Sequence, residues 1–340
     1  MGRSPVASWW TVAGLCGGAV LTRRRPVLAG GAALLATGIG ANRLTGYLPD
    51  AGAVRLRLGL GTGRPPLGAA DPARGGLARV RIPVDRGLRI PAPVAWVYTP
   101  PGFDDSGAVR YPVVTVLHGS PGTGADWFVA GLGGLLDELI AAGELRPVVV
   151  VTPDLNAWGT YESSCLNSSR GGSQVETFLT GPVQDWVNDH LPVDRRPEGR
   201  VLAGMSAGGF GTLDQGLRHP QLWSTLLSLL PYGHPGLGGR HQLGDPALIA
   251  AHTPSTYADT IPLPDRTGVF LGYGTREFRR EVGRTAHDLG VRLAARGVDT
   301  RVCALPGYGH SWWAAIALMR EALRYAEQRL ALLLDEGGRE

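Results

Sequence analysis

A mainly parallel sheet with helices on both faces, an α/β architecture, is predicted by three features of this 340-residue sequence. Short apolar runs alternate with longer segments of helical spacing from residue 79 almost to the end. Several runs (112–117, 147–152, 268–273) are apolar nearly throughout, as strands buried on both faces must be. A glycine-rich turn at 204–211 joins one such run directly to a helix, with no bulk at the junction. Two further apolar runs precede this body, so the architecture is expected to follow a pair of transmembrane helices.

Those runs, 5–22 and 26–41, carry no internal charge and flank Arg23, Arg24 and Arg25. Each is about as long as the shortest membrane-spanning helices, roughly 17 residues. Trp9, Trp10 and Tyr47 lie near their far ends, where aromatic side chains favour the membrane interface. A cytoplasmic arginine triplet then puts both outer ends, and everything after Tyr47, outside the cytoplasm. Residues 1–48 are therefore expected to form a membrane hairpin. A cleaved export signal is the alternative, and it too leaves the body extracytoplasmic.

The net charge of +4 follows from this end of the chain. All 33 basic residues are arginine, and five of them, with no acid, fall within residues 1–49. The remainder holds 28 arginines against 29 acids, a neutral body without a basic surface for nucleic acid. Of the three cysteines, Cys16 sits in the first apolar run; Cys165 and Cys303 make a candidate disulfide outside the cytoplasm.

Residues 49–78, rich in Gly, Pro, Ala and Arg without periodicity, read as a linker. The body, 79–335, opens with β-type runs at 79–84 and 93–99, then the buried run 112–117 and the loop His118-Gly119-Ser120-Pro121-Gly122-Thr123-Gly124. Helical spacing at 126–142, a strand at 147–152 and a helix at 175–191 follow. Strand 200–205 leads into helix 207–219, and 224–230 is strand. Residues 231–265 form a Gly-, Pro- and His-rich excursion with no core pattern. The closing elements are strand 268–273, helix 277–296, strand 300–305 and helix 311–333. In such sheets the active site lies at the carboxyl ends of the strands.

Gly204-Met205-Ser206-Ala207-Gly208 is a G-x-S-x-G nucleophile elbow, and its context of strand before and helix after is the one this motif requires. A serine hydroxyl needs a base, and the base needs a third group to hold its tautomer. His310, in the loop between the last strand and the closing helix, is the best-placed base among eight histidines. Glu277, directly after strand 268–273, is the best-placed acid. Asp288 lies too far into the helix and Asp265 at the wrong end of the strand. The order Ser206, Glu277, His310 agrees with the α/β-hydrolase fold. Backbone N–H groups of Ala207 and Ser120, or Gly119 in place of the latter, supply an oxyanion hole. His118 is expected to shape its loop. No metal-ligand spacing, dinucleotide fingerprint or P-loop is present, so neither metal nor cofactor is expected.

The segments 117–127 (LHGSPGTGADW), 204–209 (GMSAGG) and 309–312 (GHSW) together resemble the Putative esterase family of α/β-hydrolases. That group takes in esterase D (S-formylglutathione hydrolase), enterochelin and feruloyl esterases, and mycolyltransferases. The similarity covers roughly residues 90–330. It implies the same triad and oxyanion donors, and an exported, membrane-anchored actinobacterial type of esterase. The glutamate departs from the aspartate frequent in that family. Trp127, Trp158 and Trp312 are expected to wall the substrate pocket. The implied function is a serine carboxylesterase acting outside the cytoplasm on a small-molecule, lipid or sugar ester. The alternatives are an acyltransferase passing an acyl group to a sugar hydroxyl, and a non-catalytic envelope scaffold that kept the fold.

Overall fold

The computed structural model describes residues 71–157 and 163–335 continuously, together with 45–58, 60–61, 64–68 and a few positions between 36 and 42. The apolar runs 5–22 and 26–41 lie almost wholly outside the described residues. Among those described, no helix is long and apolar enough to cross a membrane.

Eight strands form one sheet in the order β1-β2-β4-β3-β5-β6-β7-β8. The strands are β1 (Gly76–Arg81), β2 (Val94–Thr99), β3 (Val113–Leu117), β4 (Val149–Pro153), β5 (Arg200–Met205), β6 (Thr225–Leu229), β7 (Gly268–Gly274) and β8 (Asp299–Leu305). β2 pairs antiparallel with β1 and β4; every other pairing is parallel. Register matters for the site. Leu117 pairs with Gly204, Met205 with Leu229, and Gly274 with Leu305, so the chain leaves these strands along one rim.

Alternation along the strands divides the core in two. Val149, Leu202, Leu226 and Val269 point to one face, and Val150, Val201, Leu227 and Phe270 to the other. The first face is covered by α4 (Val175–Thr180), α5 (Pro182–His190), α6 (Ala207–Arg218) and α10 (Arg280–Ala295). The second is covered by α3 (Leu132–Ala141) and α11 (Trp312–Leu330). Two helices expected to be continuous are broken. Gly131, at φ 109°, separates α2 (Asp126–Val129) from α3, and Gly181 followed by Pro182 separates α4 from α5.

The expected linker contains a helix, α1 (Ala51–Arg57), started by Asp50, whose carboxylate accepts from the Ala53 N–H at 2.8 Å. The excursion after β6 folds as α7 (Leu237–Leu243), α8 (Pro246–Ala251) and α9 (Pro254–Tyr257). Polar contacts to α6 tie it down. Asp214, fully buried, accepts from the Tyr257 hydroxyl at 2.9 Å and meets His252 Nδ1 at 2.9 Å.

The expected Cys165–Cys303 disulfide does not form; both thiols are free. Cys165 is buried with the first face, against Gly211 of α6, whereas Cys303 on edge strand β8 packs with the second. The sheet itself stands between the sulfurs, and a disulfide cannot span it.

Candidate active site

Ser206 stands between β5 and α6 at φ 57° and ψ −119°, a conformation β-carbon sterics disfavour. Two glycines make the turn possible. A Cβ on Gly204 would meet the Gly208 carbonyl oxygen at 2.3 Å, and one on Gly208 would meet the Leu117 carbonyl oxygen at 2.4 Å. Strand β3, elbow and helix therefore approach at backbone contact, which presents the serine at the amino end of α6.

The structure brings Ser206, His310 and Glu277 together. His310 Nε2 lies 3.0 Å from Ser206 Oγ, and Nδ1 lies 2.7 Å from Glu277 Oε2. The other carboxylate oxygen, Oε1, accepts the Arg279 backbone N–H at 3.1 Å. The glutamate side chain is 4 % exposed and the imidazole 17 %. With both of its oxygens occupied, the carboxylate has one orientation, and it favours the tautomer with its proton on Nδ1. Nε2 is then free to accept from the serine.

Two loops hold this geometry. The Thr275 and Arg276 N–H groups donate to Leu305 and Tyr308 carbonyls at 3.0 and 2.7 Å, and the Gly307 N–H donates to Thr275 Oγ1 at 3.0 Å. The turn carrying the acid is thus stitched to the turn carrying the base. Ser311 caps α11, accepting from the Ala314 N–H, which anchors the residue beside His310.

The loop after β3 lies against the nucleophile. A Cβ on Gly119 would come within 3.4 Å of Ser206 Cβ. His118 is buried, and its Nε2 accepts the Leu155 N–H at 2.9 Å, so it braces the loop against the chain after β4. Ser120 follows in that loop, and Ala207 opens α6 directly after Ser206.

The three tryptophans divide. Trp127 is fully buried; its indole N–H donates to the Leu117 carbonyl at 3.0 Å and its ring meets Trp312 edge-on at 5.2 Å. It belongs to the core and not to a pocket wall, because α2 turns it inward beneath the loop. Trp158 lies outside the described residues. Trp312 is half-buried and lines a cleft of about 550 Å³ with Tyr47, Pro121, Gly122 and Asn156. Tyr47, expected at a membrane interface, packs on Trp312 at 5.9 Å and donates to Asp126 at 2.7 Å.

Sequence reasoning missed three residues around His310. Tyr232, just beyond β6, puts its ring centroid 6.1 Å from the imidazole, and Phe278 lies 6.3 Å away, edge-on. Arg279 Nη1 donates to the Tyr232 hydroxyl at 2.8 Å. Burial pushes that hydroxyl above its ordinary pKa, against the opposing charge of Arg279 and an interaction with Ser206. Their common signal was position: all three follow the carboxyl ends of strands. Among the described residues no group of three His, Cys, Asp or Glu side chains is arranged to hold a metal ion.

An esterase of Mycobacterium tuberculosis is 33% identical over 117 residues, which is 34% of this chain and 24% of that protein. The chain spans only about a quarter to a third of the length of the curated relatives it matches. Among solved structures, a ferulic acid esterase superposes with a TM-score of 0.63 at 18% identity, covering 76% of this chain and 98% of that one. An S-formylglutathione hydrolase from Agrobacterium tumefaciens gives 0.60 at 19% identity, covering 76% and 96%. At such identities these likenesses establish a shared α/β-hydrolase-like fold. The family model described as "Putative esterase" matches residues 93–323, more than half of the sequence, and the chain belongs to that family.

Proposed function

We propose that this protein is a serine carboxylesterase, held at a membrane by its amino-terminal apolar runs with the catalytic body outside the cytoplasm. The observation that carries the chemistry is the unbroken relay Ser206 Oγ, His310 Nε2, His310 Nδ1, Glu277 Oε2, at 3.0 and 2.7 Å. The charge asymmetry of residues 1–49 supports the location.

Ser206 Oγ attacks the ester carbonyl carbon as His310 Nε2 takes its proton, and Glu277 stabilises the imidazolium. The carbonyl oxygen becomes an oxyanion facing the backbone N–H groups of Ala207 and Ser120, with Gly119 alongside. Collapse breaks the bond to the alcohol oxygen, which leaves with the proton from Nε2. Water, activated by the same imidazole, then cleaves the acyl-enzyme. The partial exposure of His310 gives water its path. The cleft lined by Pro121 and Trp312, neighbours in sequence of Ser120 and His310, is our candidate for the acyl group.

The test is labelling by a fluorophosphonate probe together with hydrolysis of 4-nitrophenyl acetate. Both are expected in the wild type and absent in Ser206→Ala. Hydrolysis that persists in Ser206→Ala refutes the assignment of the nucleophile.

A further inference from the structure

Three side chains crowd the outer side of His310 and take no part in the relay. Tyr232 and Phe278 flank the imidazole, with Phe278 73% exposed. Arg279 joins them, its guanidinium carbon 5.6 Å from the Tyr232 ring centre and 5.5 Å from that of Phe278. Its Nη1 bonds to the Tyr232 hydroxyl, which in turn interacts with Ser206. The guanidinium is therefore tied, through Tyr232, to the immediate surroundings of the His310 imidazole. Nearby residues 276–284 carry Arg276, Arg279, Arg280 and Arg284 against Glu277 and Glu281, and Glu277 is already engaged by His310.

Collapse of the tetrahedral intermediate fixes which part of the substrate meets this group. The proton on Nε2 must reach the departing oxygen, so the alcohol sits against His310. What surrounds His310 on its open side touches the alcohol and not the acyl chain. The two rings offer apolar surface there, and the guanidinium edge left free by its single bond to Tyr232 offers paired N–H donors suited to a carboxylate or phosphate.

We propose that Tyr232, Phe278 and Arg279 form the alcohol subsite and select esters whose alcohol carries an anionic group, with Arg279 as the specificity-determining residue. This rests on the serine-esterase function above. The chemistry is unchanged: the Oγ–acyl bond forms, the acyl–alcohol bond breaks, and the serine proton leaves on the alcohol oxygen through His310.

The test compares steady-state hydrolysis of 4-acetoxybenzoate and 4-acetoxyphenyl phosphate with that of neutral methyl 4-acetoxybenzoate. The full-length protein is used as wild type, Arg279→Gln and Arg279→Lys. A second pair, mono-4-nitrophenyl succinate and 4-nitrophenyl butyrate, moves the charge to the acyl side. The wild type is expected to favour at least one anionic alcohol by about tenfold in kcat/KM, expressed in KM, and the better of the two identifies the anion. That ratio should fall to about one in Arg279→Gln, return largely in Arg279→Lys, and shrink with added salt. Reading a ratio cancels any general effect of loosening Tyr232, and the residue 279 backbone bond to Glu277 survives both substitutions. A wild-type ratio near one, a ratio unmoved by Arg279→Gln, or a preference confined to the succinate pair overturns the subsite while leaving the esterase intact. No hydrolysis of any ester, with no fluorophosphonate labelling, overturns the esterase itself and the subsite with it.

Discussion

Replacing Glu277 by glutamine removes one charge and almost no volume, and the surrounding bonds dictate how the amide must sit. The carboxylate serves two donors: Oε1 accepts the Arg279 backbone N–H at 3.1 Å, and Oε2 faces His310 Nδ1 at 2.7 Å. A glutamine has one acceptor oxygen for those two places. The backbone N–H cannot change its role, whereas the imidazole can move its proton. The oxygen therefore turns to Arg279 and the amide nitrogen to Nδ1, which becomes an acceptor. The proton shifts to Nε2, and a protonated Nε2 cannot take the serine proton. When the triad aspartate of trypsin is replaced by asparagine, the same wrong tautomer costs about 10⁴ in kcat with geometry intact. A loss in kcat of about 10³ to 10⁴ is expected for Glu277→Gln, with KM moved less than about threefold. Glu277→Asp keeps both acceptors on a shorter arm and should lose less. Kinetics with 4-nitrophenyl acetate give the numbers, and urea unfolding shows that the variant is folded. A Glu277→Gln enzyme within tenfold of the wild type would refute the orienting role and leave His310 to be held by the stitched loops alone.

Three other outcomes follow from the geometry. Gly208→Ala puts a Cβ 2.4 Å from the Leu117 carbonyl oxygen, a backbone atom with little freedom to yield; urea unfolding should show a loss on the order of 2 kcal/mol or more, with activity falling alongside. Alkylation of the native protein followed by peptide mass analysis should modify Cys303, leave Cys165 unmodified until denaturation, and yield no peptide linking the two. For Glu176, burial raises the pKa, but the hydrogen bond with His219 and the charge of Arg218 outweigh it and hold the carboxyl at about 2. A pKa lowered on folding gives stability that is present above the unfolded value near 4.3 and is lost as pH falls toward 2. The wild type should therefore lose on the order of 2 kcal/mol between pH 5 and 2 through this group. Glu176→Gln should flatten that part of the profile, and an unchanged acid slope would rule the contribution out.

The elements that carry the triad could be read in the sequence because each obeys a local rule that nothing distant overrides. A strand buried on both faces must be apolar throughout, and Val113–Leu117, Arg200–Met205 and Gly268–Gly274 are nearly so. Parallel pairing then forces their carboxyl ends onto one rim, so loop position alone gathers Ser206, Glu277 and His310. Direction within a loop obeys no such rule. Trp127 and Trp312 both follow motif residues, yet the single turn of α2 drives one into the core while the other stays half-buried at a cleft. Whether Cys165 could meet Cys303 depended on which face of the sheet each occupied, a long-range fact set by chain path. The excursion after β6 failed to register for a different reason. It is fastened to α6 by one buried carboxylate, Asp214, with His252 and Tyr257, and by a small cluster in which Leu243 and Ile249 meet Phe210, too few apolar positions to set a detectable period. Tyr232 begins that excursion and Arg279 is the cap before α10, so the residues proposed to meet the alcohol come from connections, where no apolar period reaches. Chemistry common to the fold is written in its strands and their ends. Choice of substrate is written in side-chain directions that only packing decides.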